Sequence, residues 1–263
     1  MKAATELLDL SGKTAIVTGG AVGIGRGISW RLAEAGASLL IADIDGEGAR
    51  LAAKELTEAG YQAQGMTADV GDEFDVHAVI GEAVRLFGGV DILVNNAGIY
   101  PNVPLAKLEP KVFDRVVGVN LRGVFLFTKL ASELMKAQGH GGHIINVTSI
   151  DALHPSMIGL AAYDATKHGV WGFTKNAAAE LAPYGIQVNA VAPGGITTPG
   201  TQGMAGEEAA GAEALQAAFL NKIPMRRMGE PDEIGKVVLF LASDMASYMT
   251  GSQVVVDGGA LLG

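Results

Sequence analysis

The 263-residue sequence predicts an α/β fold: one doubly wound parallel sheet, covered by helices on both faces, in a single domain spanning 1–263. Three observations carry that expectation. A short apolar strand runs directly into a glycine turn and a helix near the N-terminus. Strand-like runs and helical patterns then alternate with short connections, and no linker or low-complexity tract interrupts them in the first half.

Thr14-Ala15-Ile16-Val17-Thr18 is the first strand, followed by Gly19-Gly20-Ala21-Val22-Gly23-Ile24-Gly25 and a helical pattern over 28–35. Glycines let the backbone approach a pyrophosphate closely, and the helix N-terminus presents unpaired amides and a partial positive charge to it. Ser38-Leu39-Leu40-Ile41-Ala42 is a second strand, ending at Asp43, the correct distance for a carboxylate that binds the adenosine ribose hydroxyls. An acid there repels a 2′-phosphate, and neither Val22 nor Ile44 supplies a compensating cation, so NAD is favoured over NADP. The competing role for Asp43 is a cap or turn residue, which Asp45 and Gly46 can equally serve.

A helix over 48–59, a strand over 62–67 ending at Asp69-Val70, a helix over 73–87 and the strand Asp91-Ile92-Leu93-Val94 continue the pattern. That strand ends in Asn95-Asn96-Ala97-Gly98, small and amide-rich on the carboxyl edge, where ligands of open α/β sheets bind. A long helix is expected over 110–138 with Asn120 near its middle; an interior Asn is a mediocre helix former whose amide must find partners if buried. Gly139-His140-Gly141-Gly142-His143 reads as an exposed turn into a strand over 144–148, and neither its histidine spacing nor any nearby carboxylate cluster supports a metal site.

Ser149 ends that strand. A helix is expected from Tyr163 to about Ala182, with Val170, Phe173, Ala177 and Leu181 as an apolar stripe for the core or a subunit interface. A strand over 187–191 leads into the stiff turn Pro193-Gly194-Gly195-Ile196-Thr197-Thr198. The Gly-, Ala- and Glu-rich stretch 199–212 has the composition of a mobile covering loop, with a short helix over 213–220, so 195–222 is the expected substrate loop. A helix from Pro231 through Leu241 and a final strand and turn, Gln253-Val254-Val255-Val256-Asp257-Gly258-Gly259, complete the chain.

Composition narrows the function. An apolar content of 49% excludes global disorder, and a formal charge of −9 with no cationic run longer than Arg226-Arg227 argues against nucleic acid and anionic membranes as partners. The absence of cysteine removes disulfides, thiolate catalysis and cysteine-ligated zinc. Residues 1–10 mix Glu6 and Asp9 into a short apolar stretch, unlike a signal peptide or anchor, and no apolar run reaches bilayer length; a soluble, cytoplasmic protein is expected.

Tyr163 and Lys167 lie four residues apart on one helix and therefore share a face. A free phenol, with a pKa of about 10, is a poor proton carrier near neutrality, and a nearby ammonium favours the phenolate. The spacing is common in helices. Its weight comes from its company, a phosphate turn, a ribose acid and a strand-end serine at one sheet edge.

These residues, in this order and across essentially the whole chain, resemble the short-chain dehydrogenase/reductase family. Thr18 to Gly25 matches its glycine motif, Asn95-Asn96-Ala97-Gly98 its strand-four motif, and Ser149 with Tyr163-xxx-Lys167 its active-site signature; Pro193-Gly194 and Val256-Asp257-Gly258-Gly259 match later landmarks. The resemblance implies a Rossmann-type seven-stranded parallel sheet, a homotetramer built through the long helices, and Asn120 as the residue completing a catalytic tetrad with Ser149, Tyr163 and Lys167. It implies cofactor contacts from Gly19, Val22, Gly23, Ile24 and Gly25 in the turn, from Asp43, Asp69 and Val70, from Asn96, Ala97 and Gly98, from Tyr163 and Lys167, and from Pro193, Gly194, Ile196 and Thr198.

Two departures stand out. The Ser149-to-Tyr163 spacing is one residue longer than the commonest family pattern, so the segment between them is expected to bulge. It also carries Asp151 and His154 where many members have small apolar residues, which makes Ser149, Asp151, His154 and Tyr163 the expected substrate contacts and a polar or polyhydroxylated substrate (sugar, polyol or cyclic diol) the expectation. The alternative is that Asp151 and His154 satisfy one another or the loop backbone.

The expected reaction is hydride transfer between a secondary alcohol and NAD, with no metal. Tyr163 is the general acid/base, Lys167 lowers its pKa and holds the nicotinamide ribose, Ser149 hydrogen-bonds the substrate oxygen, and Asn120 positions a water that joins Lys167 to solvent. Two alternatives remain open: a 3-oxoacyl-thioester (acyl-carrier) reductase of the same family, and a non-catalytic NAD-binding scaffold or regulatory protein, against which the intact tetrad argues.

Overall fold

The computed structural model describes residues 2–204 and 220–262. Its seven strands are β1 Thr14–Thr18, β2 Ser38–Asp43, β3 Ala63–Thr67, β4 Ile92–Asn95, β5 Gly142–Val147, β6 Ile186–Pro193 and β7 Gln253–Val256. They form one sheet in the order β3-β2-β1-β4-β5-β6-β7, every neighbouring pair parallel. The chain winds outward from β1 to β3 and then crosses to β4 on the other side of β1. That reversal opens a crevice above the carboxyl ends of β1 and β4, where open α/β sheets bind ligands.

After the short N-terminal helix α1 (Ala4–Leu7), the described helices are α2 Gly23–Glu34, α3 Gly46–Glu58, α4 Glu73–Phe87, α5 Pro110–Val117, α6 Gly123–Gln138, α7 Ala161–Leu181, α8 Pro199–Met204 and α9 Pro231–Leu241. Successive strand residues point to opposite faces. Ala15 and Val17 join a core with Ile28 and Leu32 of α2, Leu56 of α3 and Val238 of α9, whereas Ile16 joins one with Val79 of α4, Phe127 and Met135 of α6 and Leu181 of α7. Burial on both faces explains why these strands read as continuous apolar runs. Two glycines let α2 and α9 meet: a methyl at Gly235 would lie 2.6 Å from the Gly27 carbonyl oxygen, and one at Gly27 2.7 Å from that of Pro231.

Three expectations change. The helix predicted over 110–138 is two α-helices joined by a π-helical turn, Gly118–Arg122, that contains Asn120. The Asn120 amide is bound to the backbone at Ile99, and Gly123 closes against Val70, so the local winding follows tertiary contacts rather than the helical period. His143 is half-buried inside β5 instead of lying in an exposed turn, and its burial lowers the imidazole pKa; His140 is exposed, 3.6 Å from Asp91. The stretch expected as covering loop opens with α8, and the helix expected over 213–220 lies, but for its last residue, outside the described residues. Among the described residues no helix is long and apolar enough to cross a membrane.

Candidate active site

A cavity of about 1170 Å³ follows the carboxyl edge of the sheet. One end is formed by the glycine turn between β1 and α2. Gly19 has φ +63°, and a methyl there would come within 2.8 Å of the Ala97 Cα; a methyl at Gly25 would overlap the Gly19 carbonyl. Only glycine permits this approach. Asn96 braces the turn from the neighbouring strand, its amide donating to the carbonyls of Thr18 (3.0 Å) and Gly19 (2.8 Å), while Thr18 Oγ1 accepts the backbone N–H groups of Asn96 (3.0 Å) and Ala97 (3.1 Å). The result is a backbone cradle at a helix N-terminus, the geometry that receives a pyrophosphate.

Asp43 lies at the end of β2 on the cavity wall. Its carboxylate accepts the N–H groups of Ala21 (3.0 Å) and Asp45 (3.0 Å), which lock its direction. Asp45 is the residue that caps α3, through Gly48 N. Asp43 is therefore released from capping, while its bond from Asp45 N fills the turn role that also competed for it. Asp69 accepts from Arg115 Nη1 (2.8 Å) and Gly71 N (2.9 Å). Burial alone would raise its pKa, but these two bonds and the Arg115 charge hold the carboxyl below its ordinary value. Arg115 lines the cavity and was not singled out in the sequence; it is a cation in a helical stripe whose partner lies forty-six positions earlier.

The other end holds the expected tetrad. Lys167 is buried, its Nζ donates to Val147 O (2.7 Å), and it lies 5.4 Å from the centroid of the Tyr163 ring. Burial lowers its pKa to about 8, with Asp151 acting against the shift. Tyr163 is half-buried and packs edge-on to Tyr100 with ring centroids 5.9 Å apart. Its phenol is pushed well above its ordinary value, first by burial; the nearby Ser149 hydroxyl works the other way, and Asp151, Tyr100 and Asp164 add to the rise. In the protein alone, then, desolvation outweighs the lowering by Ser149.

Asn120 is fully buried, and its side-chain amide is committed: Oδ1 accepts from Ile99 N (2.8 Å), and Nδ2 donates to Ile99 O (2.8 Å) and Thr166 Oγ1 (3.2 Å). It thus ties the loop after β4 to α7, and Gly98 lies between Asn120 and Lys167. Behind the site, a buried chain links β4, β5, α6 and α7: Asn95 Nδ2 donates to Asn146 Oδ1 (2.8 Å) and Thr128 Oγ1 (3.2 Å), and Asn146 Nδ2 donates to Thr174 Oγ1 (2.9 Å). Asn146 and Thr174 were missed in the sequence because polar residues inside strands and helices announce partners only in three dimensions.

Ser149 caps the 3₁₀ turn Ile150–Ala152. Its Oγ donates to Asp151 Oδ2 (3.0 Å) and accepts from Asp151 N (3.1 Å), and Asp151 Oδ1 accepts from Ser156 N (2.7 Å). Both Asp151 oxygens are engaged by the segment itself. His154 is exposed at the cavity wall and does not pair with Asp151. Pro193 ends β6 beside Val256, Gly194 follows it against Asp257, Ile196 pairs with Gly229, and Thr198 packs over Gly23, so Gly19, Val22, Gly23, Ile24, Gly25, Val70, Ala97, Gly98, Pro193, Gly194, Ile196 and Thr198 all line the one cavity. No group of three His, Asp or Glu side chains is placed to hold a metal ion among the described residues.

A sequence profile described as enoyl-(acyl carrier protein) reductase matches residues 19–260. The chain is 37% identical to the 3-oxoacyl-(acyl-carrier-protein) reductase FabG of Thermotoga maritima, over 96% of this chain and 99% of that protein. It is 39% identical to 3beta-hydroxysteroid dehydrogenase 2 of Eggerthella lenta, over 95% of each. The crystal structure of a short-chain type dehydrogenase/reductase from Mycobacterium marinum superposes with a TM-score of 0.92 at 35% identity, covering 98% of this chain and 99% of that one. With the Rossmann-type sheet and the site above, these likenesses define the chain's class: it belongs to the short-chain dehydrogenase/reductase family and is an oxidoreductase. The family uses a nicotinamide dinucleotide, and the glycine cradle and the directed carboxylate of Asp43 fit one.

Proposed function

We propose that this protein interconverts a secondary alcohol and a ketone with NAD(H) as cofactor and Tyr163 as the general acid/base. The observation that carries the reading is one continuous cavity with a phosphate cradle and ribose acid at one end and Ser149, Tyr163 and Lys167 at the other. A bound nicotinamide dinucleotide supplies the hydride chemistry. The chain's own residues hold it and move one proton. Asp43 accepts the adenosine ribose hydroxyls and repels a 2′-phosphate; Arg115, a cation that lines the cavity, is paired with Asp69. Tyr163 takes the alcohol proton in oxidation or returns it in reduction, Lys167 holds the nicotinamide ribose, and Ser149 bonds the substrate oxygen. Asn120 acts by fixing the loop after β4 beside Lys167.

The substrate reading narrows. Because the Asp151 carboxylate is buried and bonded within its own segment, the cavity wall left to the substrate carries an apolar group, Tyr100, Met157, Leu160, Ile223 and Leu261, beside the polar His154, Asn221, Lys222 and Arg226. This favours a cyclic alcohol or ketone with an apolar face over an open polyol. The test is an NAD⁺-reduction and NADH-oxidation screen across cyclic alcohols, diols, hydroxysteroids, sugars and their ketones. Turnover of cyclic substrates is the expected result; turnover confined to sugars or acyclic polyols overturns the substrate class, and no turnover in either direction overturns the enzyme reading. The likeness to a 3-oxoacyl reductase supports a second reading, distinguished by preference for an acyl-carrier thioester with NADPH. We further propose a homotetramer, with the half-exposed aromatic pair Phe125 and Phe173 of α6 and α7 in a subunit contact.

A further inference from the structure

We propose that Asp151 is a positioning residue of this active site, acting through Ser149: its buried carboxylate takes the Ser149 hydroxyl proton that would otherwise be aimed at the oxygens of Tyr163 and the substrate. This rests on the oxidoreductase reading above and deepens it. A serine hydroxyl has one proton, and a carboxylate only accepts, so the 3.0 Å bond between them has one direction. Asp151 N fills a lone pair of the same oxygen at 3.1 Å. The Ser149 hydroxyl proton, which lowers the Tyr163 pKa when it is donated to the phenol oxygen, is thus committed to Asp151. Asp151 is itself fixed, 5% exposed and held at its other oxygen by Ser156 N at 2.7 Å.

The consequence concerns direction of proton flow. The groups facing Tyr163 are Ser149 and Asp151 from the segment after β5, Tyr100 from the loop after β4, and Asp164 and Lys167 from α7 itself. Asp164 carries a buried Oδ1 without a hydrogen-bond partner among the described residues, and its carboxyl is raised first by burial and then by Asp151. Lys167 spends a proton on Val147 O. Two carboxyl groups, Asp151 and Asp164, therefore act on the phenol, beside a serine whose proton is taken. Tyr163 keeps its own proton to higher pH than it would beside a free serine. Ketone reduction, which needs the phenol protonated, runs over a broad pH range, and alcohol oxidation, which needs it deprotonated, is displaced toward alkaline pH.

Asp151→Asn tests this with a side chain of equal shape. The Asn Oδ1 keeps the Ser156 N–H bond, because the flipped amide would set donor against donor; Nδ2 then donates to Ser149 and releases the serine proton. The experiment follows kcat/KM for oxidation against pH at saturating NAD⁺, with the best alcohol from the screen and cyclohexanol as reference, and NADH affinity by fluorescence. The acid limb is expected to move down by about one pH unit or more, because the released serine proton turns to the phenolate and a nearby like charge is removed, with NADH affinity unchanged. Asp151→Ser, which also removes the carboxylate, is expected to move it the same way and covers the case in which the Asn variant does not fold. In a Ser149→Ala background Asp151→Asn is expected to give a clearly smaller shift. An unmoved limb in a folded variant overturns the proposal. So does an equal shift without the serine hydroxyl, which would leave only the field of the carboxylate. Wild-type protein that turns over no alcohol overturns the oxidoreductase reading itself, and this inference with it.

Discussion

Tyr163 and Asp43 divide the chemistry of the site between them, and each role makes a separate prediction. The phenol is half-buried beside Tyr100 and resists ionisation, so its function as proton carrier depends on the hydroxyl alone. Tyr163→Phe keeps the ring and its packing. It is expected to remove nearly all turnover while NADH binding, followed by fluorescence, stays close to wild type; turnover within about tenfold of wild type sinks the acid/base role. Asp43 is held in direction by Ala21 N and Asp45 N, which present its carboxylate to the cavity. Asp43→Ala is expected to narrow the preference for NAD over NADP, chiefly by weakening NAD. A wild-type protein that already prefers NADP refutes the reading of this carboxylate.

At the scale of elements, the site depends on how β1, its turn and α2 close on the loop after β4. Strand β1 is buried throughout, so it cannot move to accommodate a larger turn. Gly25 lies in the first turn of α2 against the Gly19 carbonyl and the Asn96 amide. Gly25→Ala is expected to push α2 away from the turn, costing about 1–3 kcal/mol of stability by overpacking and lowering dinucleotide affinity together. Chemical denaturation and NADH titration measure the two; a variant of normal stability and affinity would mean that the cradle is looser than its geometry. The π-helical turn between α5 and α6 belongs to the same scale, since it is where Asn120 leaves the helical period to reach Ile99.

For the whole molecule, the open quantity is how copies of the chain assemble. Phe125 and Phe173 meet edge-on across α6 and α7, with Phe125 45% exposed although it lies on a helix whose other face is core. Large apolar side chains grouped on an outer helical face mark an interaction surface. Sedimentation is expected to give a tetramer for the wild type and a smaller species for Phe125→Arg, with little change in the far-UV spectrum. A wild-type monomer would remove the assembly proposal without touching the site.

Much was legible in the residues themselves. Strand, glycine turn and helix from Thr14 onward, the acid at the end of β2, and the bounds of α4 and α9 follow from local rules: backbone freedom at glycine, apolar runs in doubly covered strands, the Asp72 cap of α4, and Pro231 at the first position of α9. Those rules act within a few residues, so a sequence read in order exposes them. What only the tertiary structure decided are bonds between distant positions: Asn120 to Ile99, Arg115 to Asp69, Asn146 to Thr174, and a phenol surrounded by desolvated neighbours. Asp151 shows the limit most sharply. The sequence by itself placed a carboxylate next to the reacting serine and suggested a substrate contact; the fold turned both of its oxygens onto the chain, because a buried carboxylate must be satisfied before it can serve anything else.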